Sequence, residues 1–89
     1  MARCKIRVAS PLRSYTGNAA EVRGSGSSLR AVLAQLDREY PGMQFRMIDE
    51  QDAIRPHIRL FVNRNEATNI DAAVQDGDTV HLICALSGG

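Results

Sequence analysis

The sequence predicts an α+β fold in which one main helix packs on a mixed sheet of four or five strands. Three observations carry this reading. An alternating apolar run opens the chain, another closes it just before the last five residues, and one apolar stripe at helical spacing lies between them.

The first run spans residues 4–9, with Ile6 and Val8 on one face and Lys5 and Arg7 on the other. Thr16-Gly17-Asn18 signals a turn, Ala20 to Arg23 returns as a short second strand, and Gly24-Ser25-Gly26 breaks the pattern. Ser27 or Ser28 then caps a helix, since a serine hydroxyl accepts a bond from a first-turn amide. Leu29, Val32, Leu33, Leu36 and Tyr40 form its apolar stripe, and Pro41-Gly42 ends it.

Residues 43–56 read as a loop with room for a turn of helix, pinned by Phe45, Met47 and Ile54. A strand follows at 58–63, with Ile58, Leu60 and Val62 facing one way and Arg59 and Phe61 the other. Asn63-Arg64-Asn65-Glu66 is assigned to a turn, Ala67-Thr68 to a short fourth strand, and Asp71 to Gln75 to one helical turn. Asp76-Gly77-Asp78 turns into the last strand, 79–84, with Val80 and Leu82 inward and His81 and Ile83 outward. With the first and last strands parallel neighbours, and a right-handed crossover between them, the order is that of a β-grasp, the ubiquitin-like fold.

A chain of 89 residues holds one core, too thin to enclose a substrate-sized cavity as well. Residues 1–84 are read as the β-grasp domain and 85–89 as a flexible C-terminal tail. The net charge of +1 exerts no global pull on nucleic acid or anionic membrane. Of the eleven basic residues only Lys5 is a lysine. The opening residues lack the apolar run of a signal peptide, and nothing approaches the ~20 apolar residues of a membrane span, so a cytoplasmic location is expected.

Cys4 and Cys84 have neither the number nor the spacing for a zinc or iron–sulfur site. His57 and His81 stand apart from other metal-ligating residues, so no metal is assigned. At ~3.3 Å per residue the cysteines of parallel neighbours lie roughly 16 Å apart, against the ~7 Å a disulfide allows. Two free thiols are expected.

The chemistry is assigned to the tail, Ala85-Leu86-Ser87-Gly88-Gly89. Glycine has no Cβ, so Gly88-Gly89 is slim enough to thread a narrow channel. Extended at ~3.4 Å per residue, the tail reaches about 17 Å past the sheet. Its carboxylate is ionised and inert at neutral pH, so reaction requires activation, for which adenylation by ATP is the usual route. Sulfur can then displace AMP and leave a thiocarboxylate on Gly89.

These features resemble the ThiS/MoaD family of sulfur carriers over essentially the whole length. The markers are Leu12-Arg13, Tyr15-Thr16-Gly17, Leu29 to Leu33, Tyr40-Pro41-Gly42, Phe61-Val62-Asn63, Asp76-Gly77-Asp78 and the tail itself. The resemblance is strongest to the cysteine-biosynthesis type, and the 43–56 connector also suits the molybdopterin type. It implies that Gly89 is adenylated by a ubiquitin-activating-like adenylyltransferase/sulfurtransferase that uses ATP, with no cofactor bound to the carrier. It further implies an acceptor synthase, pyridoxal-phosphate-dependent in the cysteine route, and there also a zinc metalloprotease that trims the product from the tail. The family often has proline where this chain has Cys84. That residue is read as a small apolar closure of the strand, with sulfur capture as the sharper alternative.

The outward residues Lys5, Arg7, Arg59, Phe61, His81 and Ile83 form one face, which in the family docks on the activating enzyme. Phe61 would anchor, flanked by His81 and Ile83, while Arg59 and Arg7 meet acidic residues of the partner. Two other readings share the fold. A ubiquitin-like modifier would be conjugated through Gly89, and a non-covalent adaptor would leave the tail idle.

Overall fold

A computed structural model describes residues 2–84. Its elements are β1 (Arg3–Val8), β2 (Glu21–Ser25), α1 (Leu29–Glu39), α2 (Met43–Met47), β3 (Ile58–Val62), β4 (Asn65–Glu66) and β5 (Thr79–Cys84), with a short 3-10 turn at Ser10–Leu12. The sheet order is β2-β1-β5-β3-β4. β1 and β5 run parallel at its centre, and every other pairing is antiparallel. This is the β-grasp arrangement.

Period-two alternation decides which face is buried. Cys4, Ile6 and Val8 of β1, Val80 and Leu82 of β5, and Ile58, Leu60 and Val62 of β3 all turn toward α1. Leu29, Val32, Leu33 and Leu36 of the helix meet them and are completely buried. Burying each such side chain stabilises the fold by about 1.5–3 kcal/mol. Ser28, in extended conformation, caps α1 by accepting the Ala31 amide at 3.2 Å. Past Tyr40, Gly42 takes φ +92°, and the Asp37 carboxylate accepts the Gly42 and Gln44 amides at 3.1 and 3.2 Å.

Four local assignments change. β2 runs on through Gly24 and Ser25, because Gly24 packs its bare Cα against Ile6, where a Cβ would sit 2.9 Å from Ile6 Cδ1. The turn of helix allowed for in the connector forms as α2, but Phe45 is not one of its pins. Met43 and Met47 are one turn apart and share its buried face, with Ile48 following them inward, so Phe45 between them points out and is 57% exposed. Ile54 is partly buried against the core.

The fourth strand lies at Asn65–Glu66 instead of 67–68. Asn63 adopts φ +56° and closes a two-residue turn, its side chain bonding Asp78 Oδ1 and the Thr79 amide, each at 3.0 Å. Residues 71–75 do not wind into a helical turn. Their neighbourhood is used instead to satisfy α1, whose first amides have no partner within the helix. Leu29 N–H donates to Ala72 O at 3.0 Å, and Arg30 N–H to Ile70 O at 2.7 Å.

Asp76 and Asp78 act as turn residues. Asp76 accepts the Arg3 amide at 2.9 Å, and Asp78 the Gln75 amide at 2.8 Å. The Gln75 amide first, and then the Asn63 side-chain amide, hold the Asp78 carboxyl below the ordinary carboxylate range.

Gly26 links β2 to α1 at φ +150°, where a Cβ would lie 2.7 Å from the Val32 nitrogen and 2.8 Å from Ala31 Cβ. Strained backbone and overpacking therefore coincide there. Gly26→Ala should lower the urea unfolding free energy by about 2–4 kcal/mol with little change in m. A loss under about 0.5 kcal/mol, the level of an ordinary surface change, would mean the junction is looser than described.

Candidate partner face and tail root

The face opposite α1 is built by register. Arg7 stands beside His81, and His81 beside Phe61, so three strands carry one row across the sheet. β2 adds Glu21 next to Arg7, and β4 adds Glu66 next to Phe61. One pleat further along, Ile83 lies opposite Arg59. Lys5 is in the row on the other side, opposite Thr79.

The centre of this face is half-buried at His81 and Phe61, while Ile83 is 39% exposed. Both flanking arginines already have partners within the chain, which the sequence reading did not foresee. Arg7 pairs with Glu21 at 3.2 Å and Arg59 with Glu66 at 3.3 Å. Each pair is about half solvent-exposed. Exposed ion pairs of this kind contribute only about 0.2–1 kcal/mol, so a partner's carboxylates can share or replace them. The contacts hold the guanidinium groups beside the apolar centre. A β2 register through Glu21 was the only sequence signal for the first pair.

The described residues end with β5, which pairs with β1 through Leu82 and with β3 through Cys84. Cys84, its last residue, lies opposite Ile58 of β3. Burial pushes its thiol above the ordinary range, and the Arg46 guanidinium opposes part of that rise. Cys4 is raised too, by burial first and then by the Asp78 charge. Both thiols are free. β1 and β5 pair with Lys5 opposite Thr79, and Cys84 stands five residues beyond Thr79, so the strands hold the cysteines far apart. A protonated, partly buried thiol is a poor nucleophile, which favours the strand-closing reading of Cys84.

The assigned chemical site, Gly89 with Gly88, Ser87, Leu86 and Ala85, lies outside the described residues. Among the described residues, no three His, Cys, Asp or Glu side chains gather into a potential metal site. His57 is exposed and apart from His81. No described helix is long and apolar enough to cross a membrane.

The ThiS family model matches residues 6–89. The sulfur carrier protein CysO of Mycobacterium tuberculosis is 29% identical over 89 residues, spanning 94% of this chain and 96% of that protein. A crystal structure of Mycobacterium tuberculosis CysO superimposes with a TM-score of 0.86 at 26% identity, covering 93% of this chain and 99% of that one. A chain of the Amycolatopsis orientalis BexX/CysO complex gives a TM-score of 0.89 at 24% identity, covering 97% and 99%. The small archaeal modifier SAMP1 of Haloferax volcanii gives 0.82 at 21%, covering 99% and 100%, a likeness of fold. With a match that runs from the first strand through the terminal glycines, this chain belongs to the ThiS family.

Proposed function

We propose that the protein is a sulfur carrier of the CysO type, loaded and discharged at the Gly89 carboxylate. The observation that carries this reading is the family match continuing past β5 to residue 89, across the Gly88-Gly89 end. The relatives named sulfur carrier protein CysO, similar along nearly their whole length, support it.

The chemistry needs little from the carrier itself. A carboxylate oxygen attacks the α-phosphorus of ATP, pyrophosphate leaves, and an acyl-adenylate forms. Hydrosulfide then attacks the acyl carbon, the C–O bond to AMP breaks, and the thiocarboxylate remains. ATP belongs to an activating enzyme related to the ubiquitin-activating type, and the carrier holds no cofactor. The loaded tail then gives its sulfur to an acceptor synthase. In the cysteine-type route that synthase is a pyridoxal-phosphate enzyme and a zinc metalloprotease frees the product.

The carrier's own contributions are reach and docking. β5 is held between β1 and β3 as far as Leu82 and by β3 at Cys84, which gives the tail its starting point. The row of Arg7, His81 and Phe61, with Arg59 and Ile83 beside it, is the docking surface for the activating enzyme. Phe61 is the apolar anchor of that surface.

Incubation with ATP, sulfide and the activating enzyme should raise the intact mass by the difference between sulfur and oxygen, confined to the C-terminal peptide. An unchanged mass alongside AMP release, or a new high-mass adduct to another protein, would contradict the carrier assignment. In Phe61→Ala the fold should persist, while the KM of activation for the carrier rises about tenfold or more and kcat at saturation holds. An unchanged KM would remove the sheet face from the docking model.

A further inference from the structure

The end of the sheet away from Cys84 carries a feature that the proposed sulfur transfer does not use. A groove of about 490 Å³ lies between β2 and the second half of α1, at the start of β1. Arg3, Lys5 and Arg23 line it, with Gly24 and the helix residues Gln35 and Glu39. Arg7, Arg30 and Arg59 form ion pairs, yet among the described residues no carboxylate lies within 4 Å of the charged groups of Arg3, Lys5 or Arg23.

Register makes this concentration costly. Lys5 and Arg23 are directly opposite each other. The amide of Val8 bonds Ala20 O at 2.8 Å and that of Gly26 bonds Ala2 O at 2.9 Å, so the hydrogen-bonded pairs fall on the even positions of β2. Lys5 and Arg23 therefore form a non-hydrogen-bonded pair, the kind with the closest side chains, and like charges there are destabilising.

The same register exposes β2's outer edge. β2 ends the sheet, and the odd residues Glu21, Arg23 and Ser25 turn their N–H and C=O groups away from β1. The Ser25 amide is met by Gln35 Oε1 at 3.3 Å, a side-chain stand-in for a strand. Among the described residues nothing pairs with the Arg23 edge.

We propose that β2 is a strand-addition site for an extended acidic segment of a partner protein. Such a segment would pair its backbone with Glu21, Arg23 and Ser25, displacing Gln35 from the Ser25 amide. Its alternate side chains would be acidic on the outer face, against Arg23, Lys5 and Arg3, and apolar on the inner side, against the groove wall. A lone charge on an edge strand ordinarily just discourages pairing. Three uncompensated cations turn that barrier into a filter that admits carboxylates. A second copy of this chain is disfavoured, because antiparallel pairing of β2 with itself centred on Arg23 sets Arg23 beside Arg23. Nucleic acid offers no strand edge to pair with Glu21, Arg23 and Ser25.

The test is an NMR titration of the full chain with an eight-residue peptide alternating Val and Asp. Shifts should concentrate on residues 21–25, Gln35 and Glu39, and hydrogen exchange of the Glu21 and Arg23 amides should slow. Arg23→Gln and Lys5→Gln should each weaken binding up to about fivefold, and added salt should weaken it further. A Val/Lys peptide should not bind. Three results would overturn the proposal: no binding by the Val/Asp peptide, equal binding after N-methylation of its alternate amides, or the same shifts from an oligothymidylate of equal charge.

Discussion

The parallel pairing of β1 with β5 is the constraint on which the rest of the structure depends. It sets the two terminal strands side by side at the centre of the sheet, so β2 and β3 must flank them as antiparallel neighbours. Their inward residues, Ile6, Val8, Val80 and Leu82, form the middle of the core under α1. An element anchored on both sides cannot fray as an edge strand does. β5 is paired on both sides through Leu82, and its last residues, Ile83 and Cys84, are paired by β3.

The crossover between these strands is constrained in turn. Gly26 permits the sharp passage from β2 into α1, and the helix's first amides are satisfied by the backbone of residues 70–72. Arg30 ties Asp52 of the connector and Asp71 of the segment between β4 and β5 to the helix at 2.8 and 3.1 Å. These exposed ion pairs add little stability, but they locate the connector relative to the sheet. Arg55 extends the same logic locally, lying 4.5 Å over the Phe45 ring and donating to the Phe45 carbonyl at 2.7 Å.

Much of this was legible in the sequence, for identifiable reasons. The alternation in β1, β3 and β5 and the stripe of α1 are signals set by burial, and burial governs the structure wherever the pattern is strong. The misses lie where tertiary partners override local pattern. Gly24 reads as a breaker until Ile6 is seen to need the space of its absent Cβ. Residues 71–75 look helical until the orphan amides of α1 claim the backbone beside them. Phe45 seems a core pin until the helical geometry of Met43 and Met47 turns it outward. Outward residues such as Phe61 and His81 followed from alternation alone, whereas the partners of Arg7 and Arg59 required the register of two hairpins. The terminal glycines were conspicuous from composition and position, and the family match gives them their chemical context.

The proposed function separates docking, on the sheet face, from chemistry, at the terminal glycines. In it, recognition is assigned to β1, β3 and β5 and the reacting carbonyl to Gly89. The most direct measurement is ATP–pyrophosphate exchange by the activating enzyme, comparing the full chain with one ending at Gly88. The shortened chain should keep its fold and compete for docking, yet support no exchange above background. Exchange at the full-chain rate would contradict the assignment of Gly89 as the activated residue.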